Sequence, residues 1–304
     1  MGESGAIAPR RPKGLAMAFE DVLGKLMGWI TATEALSALG ASAALRQPGV
    51  EADPEVQAAL TKILTAAGID LDDLAPPQLM MVQGMARMYF HHALDLMDDP
   101  GRAPGWQYTQ PEILDGWGRG SMMVPPLIAG AHPDLASVTS FLDVGTGVGL
   151  LAVAAANVWP SASIVGIDPW EASLARARAN VEGAGLGGRI ELRQTTLEDL
   201  DDDFAYDCVW IPTFFLTEKA LATGIDAAVR ALRPGGWIAL GRMQPPPDPV
   251  AEAVAELRTI RGGGTPMSNE RAVGLLEEAG CVDAHVAPHA GQSPLQLVLG
   301  QRAN

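Results

Sequence analysis

Cysteine is scarce in this chain of 304 residues, which has only Cys208 and Cys281. Two cysteines are too few for a disulfide framework or for a zinc site built from thiolates. Each lies inside an apolar segment, and a buried free cysteine behaves as a small hydrophobic residue. We therefore expect two structural cysteines in a protein of a reducing compartment, and we predict a cytoplasmic location.

Positive charge is scarce as well. The 21 Lys and Arg residues stand against 36 Asp and Glu residues, so the net charge is -15. Proteins that bind nucleic acid usually present a basic face, and no nucleic-acid partner is expected here. No cluster of His and carboxylate residues has the spacing of metal ligands, so no metal site is predicted.

Long apolar runs are absent with one exception, the window 141–159. This window is long enough to suggest a membrane span, but it contains Asp143 and three glycines near its start, and Pro160 follows it. A strand followed by a buried helix explains it better. The basic N-terminus is followed by no unbroken apolar core. We expect no signal peptide, no transmembrane segment and no membrane partner.

The first 133 residues have the pattern of an all-helical region. Residues 1–14 are rich in Gly, Pro and Arg and are predicted to be a loose tail. Apolar residues then recur at helical spacing, which predicts helices at 15–45, 53–68, 76–97 and 109–129. Asp53-Pro54 has the pattern of an N-cap followed by a first-turn proline, and Thr109 with Glu112 has the spacing of a capping box.

The pattern changes to alternating strands and helices in the region 134–304. Strands are predicted at 140–145, 164–168, 190–194, 206–212, 236–242, 281–287 and 295–301. Alternation of this kind predicts an α/β fold, a doubly wound, seven-stranded, mostly parallel Rossmann-like sheet with both faces covered by helices. We expect strands five, six and seven to be the antiparallel addition to that sheet.

The chain is organised around Asp143-Val144-Gly145-Thr146-Gly147-Val148-Gly149, which joins the first predicted strand to a helix. The glycines let a ligand approach the backbone, and the helix N-terminus offers free N–H groups. The second strand ends at Asp168, whose carboxylate can accept both hydroxyls of a ribose. In open α/β sheets ligands bind at these carboxyl ends. These features alone fit a nicotinamide dinucleotide and an adenosyl sulfonium equally well.

The glycine spacing separates these two ligands. A dinucleotide site needs G-x-G-x-x-G, but the third glycine place is Leu150 in this chain. Asp143 would lie near the pyrophosphate of a dinucleotide, which needs neutral or positive surroundings. The same carboxylate would attract an ammonium or a sulfonium. The spacing therefore favours the sulfonium ligand.

A further motif, Leu232-Arg233-Pro234-Gly235-Gly236, lies before strand five. Together with the glycine motif and Asp168, it is similar to the motifs of a known family. The run from Phe141 to Arg242 resembles the class I S-adenosylmethionine-dependent methyltransferases. The helical region, 1–133, is similar to the cap of small-molecule methyltransferases, where it forms a substrate lid and a dimerisation surface. The resemblance implies S-adenosyl-L-methionine as the cofactor and a homodimer formed through the N-terminal helices.

The resemblance also implies which residues hold the cofactor. Asp143 would lie near its amino group, and Asp168 would hold its ribose hydroxyls. The remaining cofactor-binding residues are Gly145, Thr146, Gly147 and Gly149 along the methionine, Pro169 and Trp170 beside the adenine, Thr196 and Leu197 at the adenine amino group, Ile211 and Pro212 under the sulfonium, and Arg119 at the carboxylate.

Methyl transfer from a sulfonium needs mainly alignment and exclusion of water, with a base only where the acceptor holds its proton tightly. His92 shares an inward helix stripe with Tyr89 and is the candidate base, although a satisfied core histidine is the alternative. Tyr108, Phe214 and Phe215 are the candidate substrate contacts. Trp106 and Trp117 would either touch substrate or seal the two layers of the protein together.

The expected function is methyl transfer to a small, largely apolar or aromatic metabolite at oxygen, nitrogen or carbon. Two other classes of function stay open. One is a non-catalytic cofactor-binding regulatory or scaffold protein, and the other, disfavoured by the glycine spacing, is a nicotinamide-dependent reductase.

Overall fold

The computed structural model describes residues 18–244, 247–289 and 293–304. The loose tail predicted for residues 1–14 lies outside these ranges. The described chain divides into two compact units, one up to Ala86 and one from Arg87 to Asn304. Each unit is treated by itself below.

The first unit is helical, as predicted. Its helices are α1 (Phe19–Leu45), α2 (Pro54–Ala66) and the first part of α3 (Pro76–Asp98). Asp53 caps α2 as expected, since its side chain accepts a hydrogen bond from the Glu55 N–H at 2.8 Å. A small apolar core forms around Ala43, Leu64, Leu71 and Leu79.

The N-terminal half of α1 exposes large apolar side chains. Trp29 is 60% exposed and Phe19 is 70% exposed. The other exposed members of this face are Val22, Leu23, Leu26, Met27 and Ile30. An exposed apolar patch of this kind is typical of a surface that meets another protein. We call these seven residues the α1 apolar face.

The second unit begins with the rest of α3 and two further helices. A single helix over 109–129 was expected, but the structure has α4 (Pro111–Ser121) and α5 (Val124–Ala131). The break precedes Pro125, because a proline lacks the N–H that a continuing helix needs. The expected capping box at Thr109 is wrong as well. Gln110 is the N-cap of α4, without a side-chain capping bond, since a proline in the next position fixes the helix start.

The remaining elements alternate as predicted. In chain order the strands are β1 (Ser140–Val144), β2 (Ser163–Ile167), β3 (Ile190–Arg193), β4 (Tyr206–Pro212), β5 (Leu232–Met243), β6 (Cys281–Val286) and β7 (Leu295–Arg302). The helices are α6 (Leu150–Val158), α7 (Glu171–Gly183), α8 (Glu218–Ala231), α9 (Pro249–Arg261) and α10 (Asn269–Glu278). Both cysteines are buried and unbonded.

The strand order is β3-β2-β1-β4-β5-β7-β6. β1 to β5 pair in parallel, and β7 is antiparallel to both of its neighbours. The expectation of three antiparallel strands is therefore wrong for β5 and β6. Helical crossovers precede both of these strands and return the chain to the same end of the sheet, whereas the short link from β6 to β7 reverses it. The seven-stranded, mostly parallel fold is confirmed.

The strand order reverses between β1 and β4, so their carboxyl ends at Val144 and Pro212 form the edge where open α/β sheets bind ligands. Apolar cores cover both faces of the sheet and fix the strands that lead to this edge. Among the described residues, no helix is long and apolar enough to cross a membrane.

Candidate functional site

The turn from β1 into α6 is the glycine loop, residues 145–149. Gly145, Gly147 and Gly149 have φ of +67°, +56° and +76°, a region that strains any residue with a Cβ. At Gly149 an added Cβ would also lie 3.0 Å from the Cβ of Ala177. The peptide at Gly145 is exposed. The loop thus presents bare backbone at the switch point of the sheet.

Asp143 lies buried beneath this loop. Its Oδ2 accepts a hydrogen bond from the Thr146 hydroxyl at 2.7 Å, while its Oδ1 is buried and has no partner among the described residues. Burial raises the pKa of Asp143 to about 7, against the opposing effect of the Thr146 hydrogen bond. A buried carboxylate oxygen without a donor is costly. A cation at this place would satisfy it.

Asp168 follows β2 and holds the other side of the loop. Its two oxygens accept hydrogen bonds from the Gly147 N–H at 2.9 Å and from the Trp170 N–H at 2.8 Å. Burial raises the pKa of Asp168, and these two hydrogen bonds partly offset the effect. Each oxygen keeps a lone pair. Asp168 therefore ties the loop to the start of α7 and can still accept a pair of hydroxyls.

The predicted adenine contacts lie around the next strand ends. Pro169 is exposed and Trp170 is partly exposed. The Thr196 hydroxyl donates to Asp199 at 2.9 Å and accepts from its N–H at 3.2 Å, so this side chain closes its own turn. Leu197 is buried, with its side chain against Gly224. At this position the backbone is better placed than the side chains to meet a ligand.

The end of β4 forms the other wall. Pro212 lies 3.6 Å from where a Cβ on Gly145 would be, so it borders the glycine loop. Ile211 is fully buried and supports the wall from the core. The Thr213 hydroxyl donates to the Gly241 carbonyl at 2.9 Å and ties the end of β4 to β5.

Helix α4 packs on the glycine loop. A Cβ on Gly118 would lie 2.4 Å from the Val148 side chain, so only glycine allows this approach. Arg119, the next residue, is partly exposed. Its side chain makes no hydrogen bond or ion pair within the described ranges. Its predicted role toward a carboxylate stays a prediction.

Five aromatic residues gather beside β4 and α4, and we call them the aromatic cluster: Trp106, Tyr108, Trp117, Phe214 and Phe215. Trp117 stacks on Phe214 at 5.9 Å between ring centroids and meets Phe215 edge-on at 5.1 Å. Trp106 meets Phe215 at 4.8 Å and Tyr108 at 5.2 Å. All except Tyr108 are partly exposed. The cluster forms an apolar surface close to the glycine loop.

His92, on α3, is joined to this cluster. The Trp117 indole N–H donates to His92 Nε2 at 2.9 Å, and the Tyr108 ring lies edge-on at 4.6 Å. Burial and the nearby Arg258 charge lower the pKa of His92 to about 4. The imidazole is therefore neutral at pH 7, and with Nε2 accepting, its proton lies on Nδ1.

Tyr108 and Asp95 belong to a charged network behind the cluster. Arg261 donates to Asp95 at 2.6 Å, and the Tyr108 hydroxyl donates to Asp95 at 3.3 Å. Arg102 donates to the Tyr108 hydroxyl at 2.9 Å. Burial raises the pKa of Tyr108, while its neighbours, chiefly Arg261, lower that of Asp95 despite burial. Tyr108 thus serves the network more than an open surface.

Sequence reasoning missed this network. Asp95 and Arg261 lie 166 residues apart, and neither is in a motif. Tyr89, the second candidate for the base, lies under Arg258, whose guanidinium carbon is 4.6 Å from the ring centroid. Within the described parts of the chain, no three His, Cys, Asp or Glu side chains are placed to hold a metal ion.

Comparison with known proteins agrees with this geometry. Residues 141–236 match the family model of a methyltransferase domain. No curated protein matches the chain.

Three similar solved structures cover nearly the whole chain. The O-methyltransferase family protein of Burkholderia thailandensis is 18% identical with a TM-score of 0.64, over 95% of this chain and 99% of that one. Human N-acetylserotonin methyltransferase, in complex with SAM, is 14% identical with a TM-score of 0.67, over 96% and 100%. The mitomycin 7-O-methyltransferase MmcR is 19% identical with a TM-score of 0.62, over 93% and 97%.

At these identities the likeness concerns the fold, and it includes the N-terminal helical region. The family model covers the glycine loop, Asp168 and the end of β4. Residues 141–236 therefore match a methyltransferase domain, in a chain with the fold of the S-adenosylmethionine-dependent methyltransferases.

Proposed function

We propose that this protein transfers a methyl group from S-adenosyl-L-methionine to a small, largely apolar or aromatic metabolite. The observation that carries the proposal is the unpaired, buried Oδ1 of Asp143 beneath the glycine loop. A carboxylate in this place suits the ammonium of the methionine moiety and opposes a pyrophosphate.

The residues of the site fit the cofactor. Asp143 would hold the amino group, the glycine-loop backbone would follow the methionine, and Asp168 would accept the ribose hydroxyls. Pro169, Trp170, Thr196 and Leu197 would border the adenine, Ile211 and Pro212 the sulfonium, and Arg119 the carboxylate. When bound, the cofactor supplies an activated methyl group with a good leaving group.

The aromatic cluster is the proposed acceptor surface. Phe214 and Phe215 follow Pro212 directly and are partly exposed, so a planar acceptor could lie on them close to the cofactor. Aromatic faces also favour a nearby sulfonium by about 1 kcal/mol through cation–π attraction. Tyr108 supports this surface from behind. The two O-methyltransferases among the similar structures favour oxygen as the atom methylated.

His92 with Tyr89 remains our proposal for a general base. His92 is neutral at pH 7 because its pKa is near 4, but the Trp117 N–H occupies Nε2. Accepting a proton at Nε2 would require Trp117 to release this bond. Tyr89 is one helical turn from His92, with its hydroxyl 3.5 Å from an Arg258 nitrogen.

We further propose that residues 1–133 act as lid and dimerisation region and residues 134–304 as the methyltransferase domain. The α1 apolar face supports a homodimer, because a second copy would cover its seven exposed residues. The cytoplasmic location suggested by the two free cysteines is part of the same proposal.

Two alternatives are distinguished by ligand binding and turnover. A scaffold protein would bind S-adenosylmethionine but would methylate nothing in a metabolite screen for the mass gain of one methyl. A reductase would bind NADH instead.

Cofactor selection is tested by calorimetry. We expect S-adenosylmethionine and S-adenosylhomocysteine to bind and NADH not to bind. Asp168→Asn should weaken S-adenosylhomocysteine at least about tenfold, because hydrogen bonds to a charged group contribute about 1.5–3 kcal/mol. Asp203→Asn, an exposed carboxylate paired with Arg230, is the matched control and should bind normally. Selective NADH binding would refute the proposal.

Affinity for S-adenosylmethionine should depend on pH through Asp143. Its pKa near 7 in the empty protein means that binding of an ammonium must displace a proton below pH 7. Affinity should therefore rise with pH up to about 7, by at most about tenfold per unit. Asp143→Asn should lose this dependence in calorimetry from pH 5.5 to 8. The amino group of the ligand titrates identically with both proteins, so equal pH profiles would contradict the role of Asp143.

The base is tested once an acceptor is known. His92→Ala and Tyr89→Phe should each lower kcat about 100-fold if these residues move the proton, with S-adenosylhomocysteine affinity unchanged. Trp117→Phe keeps an aromatic side chain but removes the N–H donor to His92 Nε2, so it tests whether this hydrogen bond positions His92. Methylation that survives both base variants would show that the assignment is wrong.

The homodimer is tested by analytical ultracentrifugation. The native chain should sediment at twice its 31.8 kDa mass. Leu23→Glu with Met27→Glu should give a monomer, because two carboxylates in the centre of an apolar interface would be desolvated. Thr61→Glu, on an exposed position of α2, is the control. A monomeric native protein would exclude the dimer.

A further inference from the structure

Three arginines lie together beside the aromatic cluster, and we call Arg102, Arg258 and Arg261 the arginine group. Asp95 is the one carboxylate within ion-pair distance of the group among the described residues. Three guanidinium groups against one carboxylate leave a local excess of positive charge. This excess stands out in a chain whose net charge is -15.

Within this group Arg258 is differently placed from the other two. Arg102 and Arg261 both approach Asp95, at 3.5 and 2.6 Å, and their side chains are only 11% exposed. Arg258 is partly exposed, and in the described ranges it reaches no carboxylate within 4.0 Å. It lies instead over the Tyr89 ring. One of its N–H groups donates to the Tyr89 hydroxyl at the long distance of 3.5 Å, and its charge and remaining N–H donors are available to a further partner.

Arg258 also lies near the residues proposed to meet the acceptor. Its guanidinium lies over Tyr89, one helical turn from His92 on α3, and α9 packs against the turn 213–215 that carries Phe214 and Phe215. His92 in turn bonds Trp117, and Trp117 stacks on Phe214. Burial and the Arg258 charge together lower the pKa of His92. An unneutralised guanidinium therefore lies close to the aromatic cluster.

We propose that the acceptor is an aromatic compound bearing a carboxylate, and that this carboxylate docks on the guanidinium of Arg258. The inference rests on the proposed function, because it assigns the class of substrate of the same site. A guanidinium fork matches a carboxylate with two parallel hydrogen bonds. The ring would lie on the exposed parts of Trp117, Phe214 and Phe215. Arg258 is then a specificity-determining residue.

A purely structural role for Arg258 is the competing explanation. Its contact with Tyr89 joins α9 to α3, and losing it would lower stability whatever the substrate. Stability alone therefore cannot decide. The decisive quantity is the preference for a carboxylate over an uncharged group on the same ring, since effects on folding cancel within one variant.

The probes are three carboxylates and their primary amides, with one, two and three rings: benzoate, 2-naphthoate and 2-anthracenecarboxylate. Their affinities are measured by calorimetry on the full chain, with and without saturating S-adenosylhomocysteine. We expect the best carboxylate to bind at least about tenfold tighter than its amide, since hydrogen bonds between charged groups are the stronger ones.

Three variants test whether Arg258 causes the preference for a carboxylate over its amide. Arg258→Gln should abolish the difference between carboxylate and amide, and Arg258→Lys should keep part of it. Arg178→Gln, an exposed arginine on α7 paired with Glu171, should leave it unchanged. Thermal unfolding of each variant is recorded alongside.

Three results would overturn the assignment: no binding by any carboxylate, equal binding of carboxylate and amide, or a preference that survives in Arg258→Gln. A lower melting temperature in Arg258→Gln with an unchanged preference would show a structural role only. Failure of S-adenosylhomocysteine to bind would instead refute the proposed function, and the titrations without it would still test Arg258.

Discussion

Two carboxylates, the buried Asp143 and the partly buried Asp168, fix the conformation of the glycine loop. Asp143 accepts the Thr146 hydroxyl from below, and Asp168 accepts the Gly147 N–H from the side. The two carboxylates lie on either side of the loop because the parallel strands β1 and β2 end at the same edge of the sheet. The carboxylates thus fix the loop with Gly145 exposed at the edge of the sheet. The Oδ1 of Asp143 is left without a hydrogen-bond donor among the described residues, and a cation bound there would satisfy it.

The second half of the site is assembled from α3, α4, α9 and the end of β4. Trp117 connects these elements, since it hydrogen-bonds His92, stacks on Phe214 and precedes Gly118, where α4 packs against the glycine loop. The arginine group lies behind it, in a chain that is otherwise acidic. An acceptor on this surface would therefore meet an apolar face and a local positive field together.

Much of the fold was predictable because its signals are local. Strand and helix alternation, the Asp53 cap and the glycine spacing each depend on neighbouring residues. The predictions that were wrong have two causes. The direction of β5 and β6 depends on which connections cross the sheet, a relation between distant segments. The break between α4 and α5 and the start of α4 depend on Pro125 and Pro111, local signals that were given too little weight. Thr196 follows β3 as expected, and its hydroxyl bonds Asp199, a contact that the sequence did not indicate.

The sequence by itself determined the methyltransferase-like loop, because three glycines and Asp143 lie within seven residues and their spacing is recognisable without knowledge of distant contacts. Only the tertiary structure decided the acceptor side. There the deciding contacts join Asp95 to Arg261, Tyr89 to Arg258 and His92 to Trp117. The residues of each pair lie far apart in the sequence, so no motif spacing reveals them. The charge and shape of that surface arise only when the helices and strand ends come together in the folded chain.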